Sequence, residues 1–192
     1  MTDRVVITGL GCVSGLGLGV TAFWNALCQG VSSIRPLVGV AEDVKINLGS
    51  WVDGFQPEQY FTRDALPLLD RFSQFAVLAA REAVEGAGLS ESNEILARAA
   101  SIVGTGCGGK QTDEETYAKL YKEKRTRVHP LTIPRGMPSA AASMVSQQIG
   151  IKGPVFSIAS ACASGAHAII QGHMMIQSGL VDVALVGGTD AP

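Results

Sequence analysis

The side chains in this sequence best suited to forming or holding a reactive bond are four cysteines and three histidines. Cys12, Cys28, Cys107 and Cys162 lie far apart and lack the C-x-x-C spacing of zinc or redox sites. Cys162 has the most suggestive surroundings, Phe156-Ser-Ile-Ala-Ser-Ala-Cys162-Ala-Ser-Gly-Ala166, in which an apolar run meets a cysteine flanked only by small residues. A helix is expected directly afterwards, so the pattern has the form of a nucleophile elbow, whose sharp turn closes only when the neighbours are small. A helix N-terminus there would favour thiolate over thiol, and its free N–H groups could receive an oxyanion. The competing reading is a buried cysteine filling a small-residue helix contact.

His167 and His173 are six residues apart, on different faces of a helix, and show no metal-ligand spacing. His167 follows Cys162 by five residues, about 140° around a helix, which makes it a poor base for that thiol. No metal site is expected. Two glycine-rich stretches look like nucleotide loops and fail in detail. Gly9 to Gly19 places Ser14 and Val20 where a dinucleotide fingerprint needs glycine, and the nearest acidic residues downstream are Glu42 and Asp43. Gly104-Thr-Gly-Cys-Gly-Gly-Lys110 has phosphate-loop spacing, but Gln111 stands where a magnesium-binding hydroxyl belongs, and Asp113, Glu114 and Glu115 follow. These glycines are read instead as letting backbone pass close to something bulky.

The elements that must position Cys162 alternate. Arg4–Thr8, Ala100–Val103, Val155–Ala159 and Val181–Val186 read as buried strands, with a shorter one expected around Lys45–Trp51. Helices are expected from Thr21 to about Gly30, from Asp70 to Gly86, over Asp113–Lys124, Ser139–Ile149 and Ser164–Ser178. Pro130 and Pro134 bracket an extended segment. Continuous apolar strands alternating with helices predict an α/β fold with a mainly parallel sheet covered on both faces. Hydrophobic residues make up 46% and charged residues 17%, which favours a large core over a disordered chain. With a net charge of -2 and only the short run Lys122-Glu-Lys-Arg125, no nucleic-acid footprint is expected. No apolar run reaches the ~20 residues that span a membrane, and no signal peptide is read, so reduced thiols in the cytoplasm are expected.

Ser160-Ala-Cys-Ala-Ser-Gly-Ala-His167 closely resembles the active-site signature of the elongating β-ketoacyl-acyl-carrier-protein synthases. The resemblance continues through Val5-Val-Ile-Thr-Gly-Leu-Gly11, Leu69-Asp-Arg-Phe72, Val103-Gly-Thr-Gly106, Gly150-Ile-Lys-Gly-Pro154 and Val186-Gly-Gly-Thr-Asp190, in the family's order and spacing. It implies a thiolase-like fold, with residues 1–192 as the N-terminal half of a layered αβαβα architecture. It also implies decarboxylative Claisen condensation, in which Cys162 takes an acyl group and malonyl-carrier protein supplies the carbanion. No dissociable cofactor is implied, because phosphopantetheine arrives on the acyl carrier protein.

The implied partners are that carrier protein and a second subunit, as a homodimer or with a homologous subunit. The family's two catalytic histidines and supporting lysine belong to a second half beyond Pro192, so the 192-residue chain alone is expected to be inactive in condensation. Cys107, Thr132 and Ile133 fall at positions that the resemblance assigns to the acyl pocket. Cys107 replaces a larger apolar residue and Thr132 a frequent aromatic, which implies a roomier tunnel. A non-catalytic chain-length partner subunit is the alternative, and the presence of Cys162 speaks against it, since such partners usually differ at that cysteine.

Overall fold

The computed structural model describes residues 4–37, 44–90 and 93–191, with Asn93 described by its backbone alone. Glu42, Asp43 and Pro192 lie outside the described residues. Seven strands and seven α-helices occur among them. A ribbon of β1 (Val13–Ser14) and β2 (Gly17–Leu18) leads into α1 (Val20–Cys28), and β3 (Arg35–Pro36) pairs with β4 (Leu48–Gly49). Then come α2 (Arg71–Gly86), α3 (Asn93–Arg98), β5 (Ala100–Gly104), α4 (Lys110–Tyr117), α5 (Thr132–Gly136), α6 (Ala140–Ile149), β6 (Val155–Ile158), α7 (Ser164–Gln177) and β7 (Ala184–Gly188).

The central sheet is parallel, in the order β6-β5-β7, with Ile102 opposite Phe156 on one side and Val186 on the other. All five residues of β5 are buried, and successive side chains serve opposite faces, as the period of two requires. Ala100 and Ile102 pack with Ala168 and Met175 of α7. Val103 joins Phe72, Val77 and Ala80 of α2 and Ala140, Ala141, Ala142 and Val145 of α6, while the Ser101 hydroxyl donates to Ala142 O at 3.2 Å. The expected α/β arrangement is therefore present: helices cover both faces of a parallel sheet.

One buried carboxylate ties two of these helices together. Asp70, 1% exposed, caps α2 by accepting from Phe72 N at 3.3 Å. Its Oδ2 also accepts from Thr112 N at 2.8 Å and Thr112 Oγ1 at 2.5 Å, anchoring the first turn of α4. At the other end of α2, Glu82 accepts from Cys12 N and Val20 N at 2.9 and 2.7 Å, so it brackets the entry to α1.

Several expectations are corrected. The segment Arg4–Thr8 forms no ladder, although its composition is that of a buried strand. Gly9 and Gly11 press onto α2, where a Cβ would meet Ala83 O and Ala79 O, and Ile7 is 79% exposed. Between this segment, α2, α7 and the edge of β7 lies an apolar groove of about 520 Å³ that keeps the two backbones apart. Thr21 does not cap α1, which starts at Val20 after Gly19 at φ 89°. Helix α4 begins at Lys110 and gives way to a wider turn at Ala118–Lys122. Pro134 sits inside α5 rather than in an extended segment; it lies in the first helical turn, whose N–H groups need no intrahelical acceptor. The last strand starts at Ala184, three residues later than expected, and α3 adds a helix that periodicity did not reveal.

Replacing Asp70 with Ala should destabilise the protein by about 2–4 kcal/mol, from a lost cap plus buried donors left unpaired. Thr112→Val, which leaves the cap intact, should cost about 1 kcal/mol. Urea unfolding of both variants checks this; Asp70→Ala within about 0.5 kcal/mol of the parent would show that the bridge is not structural.

Candidate active site

Strand β6 ends at Ile158, and the chain reverses within Ala159–Ala163 before α7 begins. Ala161 takes φ 52°, a left-handed conformation that costs a residue with a Cβ about 1–2 kcal/mol. The next residue is Cys162, and its side chain is exposed. This is the expected elbow, with the strain at the residue ahead of the cysteine.

Ser164 holds that turn. Its hydroxyl, in a residue 2% exposed, accepts from Ser160 N at 2.8 Å and donates to Ala161 O at 2.6 Å, with Thr105 O a second acceptor at 3.2 Å. Ala163 N and Ser164 N also donate back to Ser160 O and Ala161 O. The strained carbonyl is thereby held by side chain and backbone at once. On the outer side, Ser160 Oγ lies 2.7 Å from His167 Nδ1.

Beneath the elbow runs the glycine loop that follows β5. A Cβ on Gly104 would fall on the Ser164 carbonyl, and one on Gly106 would lie 3.6 Å from the Ala161 backbone. Gly188, at the end of β7, approaches the Gly165 Cα so closely that a Cβ would sit 2.9 Å from it. Backbone-to-backbone passage is what these glycines permit, as the sequence reading preferred over a phosphate loop. Asp190 secures the same loop: its carboxylate accepts from Thr105 Oγ1 at 2.8 Å, Gly106 N at 3.1 Å and Cys107 N at 2.9 Å. Thr189 adds a donor to Gly104 O and another to Phe72 O.

Cys107 is exposed on this loop, one residue from the Gly106–Ala161 approach. Thr132 and Ile133 lie elsewhere, on α5. Thr132 Oγ1 donates to His129 O at 2.7 Å, and Ile133 is 75% exposed. Helix α5 reaches the glycine loop at its far end, where Gly109 N donates to Gly136 O. Among the other thiols, Cys28 is exposed and Cys12 half-buried. Burial, and secondarily the Glu82 charge, push the Cys12 thiol pKa up, against an opposing hydrogen bond with Ser14.

Among the described residues no group of three or more His, Cys, Asp or Glu could hold a metal ion, and no helix is long and apolar enough to cross a membrane. The roles of Ser164, Asp190 and Ser160 escaped the sequence reading. For Asp190 the available signal was a carboxylate ending a Gly-Gly-Thr strand terminus, where open α/β sheets build their sites.

Compared with known proteins, residues 2–192 match the family model described as β-ketoacyl synthase, N-terminal domain. The chain is 42% identical over 193 residues to nodulation protein E of Rhizobium leguminosarum bv. trifolii, covering 100% of this chain and 48% of that protein. It is 34% identical over 190 residues to 3-oxoacyl-acyl-carrier-protein synthase 2 of Staphylococcus aureus strain N315, covering 98% of this chain and 46% of the relative. The solved structure of the ishigamide ketosynthase/chain length factor matches with a TM-score of 0.90 at 30% identity, over 100% of this chain and 48% of its own. The chain thus spans about half the length of the curated relatives it matches. The α/β architecture is accordingly of the expected thiolase-like type. With the cysteine elbow, the glycine loop beneath it and these likenesses together, the chain belongs to the β-ketoacyl synthase family and corresponds to its N-terminal domain.

Proposed function

We propose that this domain supplies the acyl-accepting cysteine of a 3-oxoacyl-acyl-carrier-protein synthase working in fatty-acid or related polyketide biosynthesis. The observation that carries the proposal is Cys162, exposed on a turn that is strained at Ala161 and clamped by Ser164. The Cys162 sulfur attacks the thioester carbonyl of an acyl group borne by the phosphopantetheine arm of a carrier protein. The carbonyl oxygen becomes an oxyanion, and the pantetheine thiolate leaves as the carbonyl re-forms. The N-terminus of α7, two residues on, carries no side-chain cap and offers partial positive charge to such an oxygen. In the second half-reaction malonyl-carrier protein loses carbon dioxide. Its enolate carbon attacks the Cys162 thioester, yielding β-ketoacyl-carrier protein and the free cysteine. Splitting the condensation through a covalent intermediate is ordinary nucleophilic catalysis.

The acyl pocket is assigned to the Cys107 side of the elbow. Thr132 and Ile133 would join it only where the other half of the enzyme, or a second subunit, closes over α5. The apolar groove beside β7 would be filled by that same half. For decarboxylation this chain offers little: His129 binds back to Leu131 N, and His167 is engaged with Ser160. The 192-residue chain is therefore expected to accept an acyl group on Cys162 and to make no β-ketoacyl product. Incubating it with acyl- and malonyl-carrier proteins, and following both species by mass spectrometry, checks this. Product formed at the rate of the longer enzyme would place the decarboxylating groups within these 192 residues.

The same reading pairs two subunits through β6, whose outer edge has no ladder among the described residues and whose Val155 is exposed. An unpaired edge of this kind is normally covered. Sedimentation of the intact protein should show a dimer at micromolar concentration; monomer alone would overturn the pairing.

A further inference from the structure

The turn that carries Cys162 has almost no side-chain packing to hold it. Ala159, Ala161, Ala163 and Gly165 surround the cysteine, and the first three of these are exposed. Ala161 must nevertheless keep a φ that residues with a Cβ avoid. Hydrogen bonds therefore set the conformation. The Ser164 hydroxyl is fully used on the inner side, accepting from Ser160 N and sharing its proton between Ala161 O and Thr105 O. On the outer side there is one further side-chain restraint, the 2.7 Å contact between Ser160 Oγ and His167 Nδ1. It runs from Ser160, within the turn, to the first turn of α7, with Cys162 between its ends.

Resting on the reading of Cys162 as the nucleophile, we infer that His167 is a positioning residue: through Ser160 it holds the elbow in the conformation that presents the Cys162 thiol. His167 does not act on the sulfur itself. Its Nδ1 is occupied by Ser160, and its own N–H donates to Ala163 O, which fixes the helix turn that bears the ring. Two bonds from the same serine, backbone N–H to Ser164 and side chain to His167, tie the turn that follows β6 to α7 at two heights. With the outer one removed, the turn is held from the inner side only, by the Ser164 hydroxyl and the backbone bonds of Ala163 and Ser164. The thiol then spends less time in the reactive orientation, while the core packing of β5, α2 and α6 is untouched.

The test uses the intact protein and iodoacetamide as a small neutral probe. The rate constant for Cys162 is followed by peptide mapping, and the thermal midpoint is recorded in parallel. His167→Ala and Ser160→Ala should each slow Cys162 alkylation by about three- to tenfold, the range expected for one lost hydrogen bond, with near-parent midpoints. The double variant should be no slower than either single one, because both remove the same contact. His167→Asn, which keeps a polar atom where Nδ1 stands, should recover most of the rate. Unchanged alkylation in His167→Ala and Ser160→Ala would overturn the inference, as would losses that multiply in the double variant. Should His167→Ala fold poorly, Ser160→Ala against His167→Asn carries the comparison. If Cys107 or Cys28 reacts faster than Cys162 in the unaltered protein, the nucleophile assignment itself fails, and this inference with it.

Discussion

Everything at this site depends on how closely α7 lies on the ends of the sheet strands. Gly104 at the end of β5 and Gly188 at the end of β7 meet Ser164 and Gly165 with no side chain between them. A methyl group at Gly104 would overlap the Ser164 carbonyl, which is backbone and cannot swing aside. Because the helix starts at this depth, the Ser164 hydroxyl reaches both the glycine loop and the elbow. Because it does, Ala161 can be held left-handed. The exposure of Cys162 is a consequence of backbone contacts made two residues further along.

The polar groups around this contact form a chain of single-residue ties. Asp190 gathers three donors of the glycine loop, Thr189 binds that loop to α2 through Phe72 O, and Asp70 carries the connection to α4. Each tie joins elements far apart in sequence: the Asp190 and Asp70 carboxylates accept from backbone N–H groups and threonine hydroxyls, and the Thr189 hydroxyl donates to a backbone carbonyl. Such directional bonds fix distances more sharply than apolar packing does.

The helices α2, α6 and α7 were legible from apolar and small residues at helical spacing and the strands β5 and β6 from continuous apolar runs, and the sharp turn around Cys162 was legible from its small neighbours. Arg4–Thr8 misled for a physical reason: apolar composition marks burial, but a strand exists only where a ladder partner lies within reach, and here a groove intervenes. The contact of His167 with Ser160 was not legible, because an angle counted around a helix holds only within the helix. Cys162 precedes α7, so its direction is set by the Ala161 turn and not by the helical repeat. Asp190 and Ser164 act on partners 85 and 59 residues away, and no local spacing announces such contacts.

The central claim is that this strained turn presents the residue that carries the acyl chain. Its most direct test is to mix the intact protein with acyl-carrier protein in the absence of malonyl-carrier protein, quench, digest, and locate the acyl mass among the peptides. The account predicts the acyl group as a thioester on the peptide containing Cys162, and no adduct in Cys162→Ala. An acyl group found on Cys107 or any other residue, or an adduct undiminished in Cys162→Ala, would contradict it.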